Sequence, residues 1–274
     1  MLNLLDIDWH EAWRERDIKR LAYNGSEYWN GRAGEFAQKS GKSGYSRTFL
    51  EYLDLQPGKS VLDMGCGSGA LTVPLARAGH QVIAADFSDN MLEAVTTVAL
   101  SEGLTNILRK KLDWDEDWVV AGIKPKSVDV AIASRSMIVR NLGDAIEKLS
   151  STARDKVCVT MATGRGPRAA TEILEYIGRT PEFIPDHSYG FNLLLQMGYN
   201  AELRYIDSFK SDRFPSREEA LGYFRTMIGD LTAAEDRLLQ HYLDEHIIEY
   251  SGDLPFGLDR ERLIRWAFLT WEPR

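Results

Sequence analysis

Residues Val61 to Gly69, Val-Leu-Asp-Met-Gly-Cys-Gly-Ser-Gly, constrain this chain more than any other stretch, together with Asp86 at the end of the next apolar run. The apolar residues leading to Asp63 and Met64 read as a buried strand. Gly65, Gly67 and Gly69 read as a tight turn, and the residues from Leu71 as the start of a helix. Glycines let the backbone adopt positive φ and let a ligand approach the main-chain N–H groups that open a helix. Asp86 falls where the second strand of a doubly wound sheet presents an acid to ribose hydroxyls. A corner built only for packing would explain Gly69 and leave Asp63 and Asp86 as coincidences. The pattern points to a nucleoside-cofactor site.

Two cofactors compete for it. Gly65-x-Gly67-x-x-Ala70 fits a dinucleotide fingerprint, and a lone match of that kind is weak. The register Asp63-x-Gly65-x-Gly67-x-Gly69 instead resembles motif I of the class I S-adenosylmethionine (SAM) methyltransferases. A carboxylate beside the turn would repel a pyrophosphate, whereas it suits SAM, which brings an ammonium and a sulfonium and no phosphate. Gln81 to Ser88 resembles motif II of the same family, and Lys111-Leu112-Asp113-Trp114 the motif after the third strand. The motifs together cover roughly residues 58–162.

The resemblance implies a site made of Asp63, Gly65, Cys66, Gly67, Gly69, Asp86, Phe87, Ser88, Met91, Asp113, Trp114 and Ser134. Asp63 would contact the methionine end of the cofactor, partly through water. Asp86 would accept from both ribose hydroxyls, Phe87 would lie against the adenine face, and Asp113 would accept from the adenine amino group. Read without the family, Asp113 is equally a turn acid. Two other classes stay open: a SAM- or nucleoside-binding protein that regulates without turnover, and an NAD-dependent oxidoreductase on a similar sheet.

The element order supports a doubly wound α/β fold. Strands are expected at 60–64, 81–85, 106–111, 127–134, 156–162, 202–209 and 263–271. Helices are expected at 71–78, 90–100, 142–153 and 191–197. The family resemblance implies seven strands, mostly parallel, the last antiparallel. Three divisions follow: an N-terminal helical cap over 1–50, a SAM-binding core over 51–209 plus 263–274, and a helical insertion over 210–262 read as a lid. Ser216 with Glu219 three residues on marks a helix start within the insertion. In the first segment Trp9 and Trp13 share a helix face. The Tyr28-Trp29 pair with Arg32 resembles the lead-in that caps the cofactor in small-molecule methyltransferases, so Trp29 and Arg32 join the expected cofactor set.

Composition bounds the partners. The chain has 274 residues, 44% of them hydrophobic, enough for a sizeable core. Its formal net charge is −8 and no basic tail or stripe is present, which disfavours a nucleic-acid partner. Cys66 and Cys158 are the only cysteines; each sits in an expected strand or turn, as small buried residues do in a reducing compartment, and no spacing suggests a metal. No signal peptide or membrane span is read, so a cytoplasmic enzyme is expected. Oligomeric state is not legible.

The acceptor is less constrained. Ala133-Ser134-Arg135-Ser136-Met137 follows the fourth strand, where amino methyltransferases of nucleic acids place Asn/Asp-Pro-Pro-Tyr. The paired-glutamate loop of arginine methyltransferases and the magnesium-binding acids of catechol-type enzymes are also absent. A small-molecule acceptor is expected. His187, Tyr189 and His10 are candidate bases, each as readily a structural residue. Arg135, with Arg165 and Arg168 after the fifth strand, suggests an acceptor with an anionic group, unless Arg135 pairs with Asp63 or Asp113.

Overall fold

The computed structural model describes residues 6–17, 44–164, 171–181 and 185–274. Two helices come first, α1 (Trp9–Asp17) and α2 (Gly44–Leu53). The apolar run before the glycines is β1 (Ser60–Met64), followed by α3 (Thr72–Arg77), β2 (Gln81–Asp86), α4 (Asp89–Ser101) and β3 (Ile107–Lys111). Then come β4 (Val128–Ser134), α5 (Leu142–Thr152), β5 (Ala153–Ala162), α6 (Thr171–Tyr176) and α7 (Asp186–Gln196). The remainder is β6 (Glu202–Lys210), β7 (Arg213–Phe214), α8 (Arg217–Ile228), α9 (Ala233–His246), β8 (Ile247–Glu249), β9 (Phe256–Leu258) and β10 (Arg262–Trp271).

Seven strands form one sheet in the order β3-β2-β1-β4-β5-β10-β6, mostly parallel with one strand antiparallel. The expected fold class is the observed one. Parallel pairing runs Asp63↔Ala84 and Asp63↔Ile132, so β1 is flanked by β2 and β4. The order reverses between β1 and β4, and ligands of open α/β sheets bind outside the carboxyl ends of the strands at such a point. The central strands are buried on both faces, which is why they read as unbroken apolar runs rather than alternations.

Two elements begin earlier than the sequence suggests. β5 starts at Ala153 because α5 hands over to it without a loop. Its first residues are charged and paired at the sheet's rim, Arg154 with Asp129 and Asp155 with Lys59, which hides the strand from a hydrophobic scan. α7 starts at Asp186, and Gly190 lies inside it. A Cβ at Gly190 would sit 2.3 Å from Met161 Sδ, so a residue that argues against a helix is required by packing.

By packing, the described chain divides into two compact units: 1–161 with 186–206 and 267–274, and 162–185 with 207–266. In the first, Leu62, Met64, Ala131, Val157, Leu149 and Leu269 are core residues. Trp9 and Trp13 do share a face, and both set ring edges against Tyr189 of α7. Trp13 is 1% exposed and its indole N–H donates to Val139 O at 2.8 Å. The second unit has its own core of Ile173, Phe214, Phe224, Leu239, Leu243 and Leu258. Ser216 caps α8 as expected, accepting from Glu219 N–H. The 210–262 stretch is more than helical, since β7, β9 and β8 form a small sheet with antiparallel pairings that such short strands did not announce. Among the described residues no helix is long and apolar enough to cross a membrane.

These contacts fix two expected stabilities. Trp13→Ala, which removes a buried indole and its hydrogen bond, should cost about 3–5 kcal/mol, and Ser216→Ala about 1 kcal/mol. Urea unfolding followed by circular dichroism measures both. Equal losses would show that α1 is not packed as described.

Candidate functional site

The site is built where β1 and β2 end together. Gly65 N–H and Cys66 N–H both donate to Ala85 O, at 2.8 and 3.0 Å. This fastens the start of the turn to the neighbouring strand. One residue on, Gly67 N–H donates to Asp86 Oδ2 at 2.9 Å, and Ser88 N–H donates to Asp86 Oδ1 at 2.9 Å. The Asp86 carboxylate therefore braces the turn after β1 and the exit of β2 at once. Leu112 N–H donates to Asp86 O, which brings the end of β3 into the same corner.

Gly65, Gly67 and Gly69 all have positive φ, at +72°, +53° and +88°. Their surroundings differ. A Cβ on Gly65 would meet Ser136 Cβ at 2.4 Å, and one on Gly69 would press on Val73 and Val95 at 3.1 and 3.2 Å. A Cβ on Gly67 would meet nothing within 4 Å. Gly65 and Gly69 are thus explained by packing as well as by φ. The open space faced by Gly67 is what a close-approach position for a ligand requires.

Asp63 and Asp86 are 2% and 4% exposed. Thr72, the first residue of α3, donates its hydroxyl to Asp63 Oδ2 at 2.7 Å. Burial nevertheless pushes Asp63 up to about 6, with the charge of Asp86 adding to the rise and the Thr72 bonds opposing it. Burial also raises Asp86, against the main-chain N–H groups of Ser88, Gly67 and Phe87. The Cys66 thiol is buried and pushed upward by the same desolvation, with both carboxylates adding to it.

The other expected residues fall into distinct places. Ser88 is the N-cap of α4, its hydroxyl accepting from Met91 N–H, and Met91 is buried. Phe87 and Trp114 are half-buried, and Trp114 packs on Trp118 with centroids 5.4 Å apart. Asp113 accepts from Asp115 N–H through one carboxylate oxygen, within its own turn. Ser134, at the end of β4, shares a 2.7 Å hydrogen bond with the Tyr45 hydroxyl. Tyr189 lies in the aromatic packing of Trp9 and Trp13, and the His187 ring lies 6.0 Å from that of Tyr205. His10 packs where a Cβ on Gly143 would sit. Arg135 has no ion pair with Asp63, Asp113 or any other carboxylate among the described residues. Trp29, Arg32, Tyr28, Arg165 and Arg168 lie outside the described residues. Among those described, no group of three or more His, Cys, Asp or Glu is placed to hold a metal ion.

Three contributors are not among the residues expected from the sequence. Thr72 could have been suspected as a small hydroxyl residue opening the helix after the turn. Ser136, whose hydroxyl donates to Met64 O at 2.8 Å, and Tyr45 belong to distant segments that only the sheet brings here.

Comparison with known proteins agrees with this geometry. Residues 61–155 match a model for a methyltransferase domain. An uncharacterized protein of Haemophilus influenzae is 30% identical over 275 residues, covering 98% of each chain. A 23S rRNA (uracil-C5)-methyltransferase of Photobacterium angustum is 37% identical over 68 residues, which are 25% of this chain and 31% of that enzyme. A phosphoethanolamine N-methyltransferase of Haemonchus contortus, solved with phosphomonomethylethanolamine and S-adenosylhomocysteine, has a TM-score of 0.55 at 16% identity. That alignment covers 98% of this chain and 61% of the other, and at such identity the likeness is one of fold. With two buried acids flanking a glycine turn at the switch point, the chain has the fold of the methyltransferases it resembles and carries a methyltransferase domain over residues 61–155. The open approach at Gly67 beside Asp63 and Asp86 fits a ligand rich in hydroxyl and ammonium donors.

Two measurements test the corner. Gly65→Ala should destabilise the protein more than Gly67→Ala, because only the first adds a collision to the cost of positive φ. Equal denaturant midpoints would contradict the Ser136 contact. Asp63, raised from its ordinary 3.8 to about 6, favours its neutral form in the folded state. Its contribution is present below pH 4 and is lost as pH rises through 6, on the order of 3 kcal/mol in all. The parent should therefore lose stability relative to Asp63→Asn over that window. A constant difference between the two would place the titration elsewhere.

Proposed function

We propose that this enzyme transfers the methyl group of SAM to a small-molecule acceptor, with the cofactor held by the carboxyl ends of β1, β2 and β3. One observation carries the reading: Asp63 and Asp86 are buried on either side of a turn whose middle glycine faces open space. Asp86 already accepts from Gly67 and Ser88 N–H, and a carboxylate has about four acceptor positions, so capacity is left for ribose hydroxyls. Asp63 is the partner for the ammonium of the methionine part. A nearby cation would return its raised pKa toward the ordinary range, so this buried acid is better matched to a cationic ligand than to none.

Gly65, Cys66 and Gly69 shape the turn that gives the cofactor room. Phe87 and Trp114 supply apolar surface for the adenine, with Asp113 as acceptor for its amino group. Ser88 and Met91 fix the start of α4 beneath it, and Ser134 closes the β4 side. SAM, when bound, supplies an electrophilic methyl on sulfur. The chain contributes positioning and exclusion of water, which suffice for an in-line displacement when the acceptor has no proton to lose early.

The acceptor is read as a small molecule because a formal net charge of −8, with no basic tail or stripe in the sequence, works against binding a phosphate backbone. The rRNA enzyme it resembles matches over a stretch that is 31% of that enzyme's length.

Calorimetry with S-adenosylhomocysteine tests the cofactor assignment. Asp86→Ala should weaken binding by about 10- to 150-fold, the range for a charge-assisted hydrogen bond, and Gly67→Val should abolish it. Parent-like affinity in either variant would remove that residue from the site. For the acceptor, methyl-labelled SAM is incubated with the enzyme and either total RNA or a fraction of small metabolites. Label is expected in the metabolites, and label in RNA would overturn the small-molecule reading.

A further inference from the structure

We propose that Arg135, seated on the ring of Tyr45, is the residue that binds an oxyanion carried by the methyl acceptor. This deepens the function proposed above and rests on it. Arg135 follows β4 directly, at the strand beside β1 where the sheet order reverses. Its φ is +59°, the left-handed region that long L side chains seldom adopt and that a surface arginine has no reason to hold.

Buried groups hold it there. Arg135 N–H donates to Thr160 Oγ1 at 2.9 Å. The Thr160 hydroxyl shares a 2.6 Å hydrogen bond with the Tyr45 hydroxyl, which shares a second, of 2.7 Å, with Ser134. Tyr45 and Thr160 are 2% and 1% exposed. The Arg135 guanidinium carbon lies 4.4 Å from the Tyr45 ring centroid, although the side chain itself is exposed. Three hydroxyl groups and an aromatic face thus support one solvent-facing cation.

A guanidinium stacked on a ring keeps its in-plane N–H edge free for a bidentate oxyanion. Several other arginines spend that edge on carboxylates, among them Arg77 on Glu102, Arg179 on Glu235, Arg225 on Asp236 and Arg265 on Asp207. Arg135 has no such partner among the described residues. Asp86 and Asp113 stand at the ends of β2 and β3, on one flank of the switch point, and Asp63 at the end of β1 beside it, whereas Arg135 follows β4 and is tied through Thr160 to β5, on the other flank. A cation on that flank complements charge on the acceptor rather than on the nucleoside.

The test follows the Arg135 Nε–H resonance of the full-length chain, labelled with nitrogen-15 and assigned by its loss in Arg135→Met. With the protein saturated by S-adenosylhomocysteine, acetate and inorganic phosphate are titrated against chloride at matched ionic strength. We expect a saturable shift with the oxyanions. Tyr45→Leu should weaken it fivefold or more while S-adenosylhomocysteine affinity stays within twofold, and Tyr45→Phe, which keeps the ring, should retain most of it. Should Tyr45→Leu fail to fold, Thr160→Val removes the acceptor for Arg135 N–H and should weaken the shift in the same way. Normal S-adenosylhomocysteine binding with no oxyanion response would overturn the proposal. So would a resonance that moves on adding S-adenosylhomocysteine but not 5′-methylthioadenosine, because the cofactor's own carboxylate would then be the ligand. Failure of S-adenosylhomocysteine to bind at all would overturn instead the cofactor reading beneath it.

Discussion

Two main-chain N–H groups, from Gly65 and Cys66, converge on the carbonyl of Ala85, and the carboxylate of Asp86 then takes Gly67 N–H. Everything else in the site depends on this join. A strand end is normally free to splay, and a turn with three positive-φ glycines is softer still, since glycine has the most conformational freedom to lose. Fastening the turn to β2 at consecutive residues removes that freedom. It also explains why the acid is on β2: a side chain at Asp86 reaches the turn because the parallel register sets Met64 against Ala85, one residue before it.

The same join creates an electrostatic tension. Two carboxylates are buried here, burial raises the pKa of both, and the charge of Asp86 adds to the rise of Asp63. Burial of a carboxylate without a countercharge is costly, and among the described residues it is offset by hydroxyl and N–H donors rather than by an arginine or lysine. A resident cation would neutralise the acids permanently and leave no use for a cationic ligand. Neutral donors hold the acids in place while leaving their charge to be matched from outside. Thr72 shows the compromise: one hydroxyl steadies Asp63 without cancelling it.

Legibility followed sequence distance. The strands and the turn were readable because buried parallel strands are continuous apolar runs and because the glycine spacing and the two acids are local. α7 was misplaced by five residues since Gly190, a helix-disfavouring residue, is there for Met161. The small sheet of β7, β8 and β9 was unseen because strands of two or three residues carry no periodicity. Tyr45, Thr160 and Ser136 were invisible as site residues for a different reason: their partners are 115, 25 and 72 residues away, and only the folded sheet makes them neighbours.

That split between local and distant residues bears on how the family diversifies. The cofactor corner is assembled almost entirely from 61–114, and the matching methyltransferase domain covers 61–155. The rRNA enzyme aligns with this chain over 68 residues at 37% identity. A corner whose bonds are internal to one short stretch can be kept while the rest of the chain changes. Tyr45 lies before that stretch and Thr160 after it, so the support under Arg135 can vary without disturbing Asp63 or Asp86. The bonds that fix the turn run through Ala85, Asp86 and Thr72, those under Arg135 through Tyr45, Ser134 and Thr160, and Ser136, which donates to Met64 O, is where the two flanks of the switch point join.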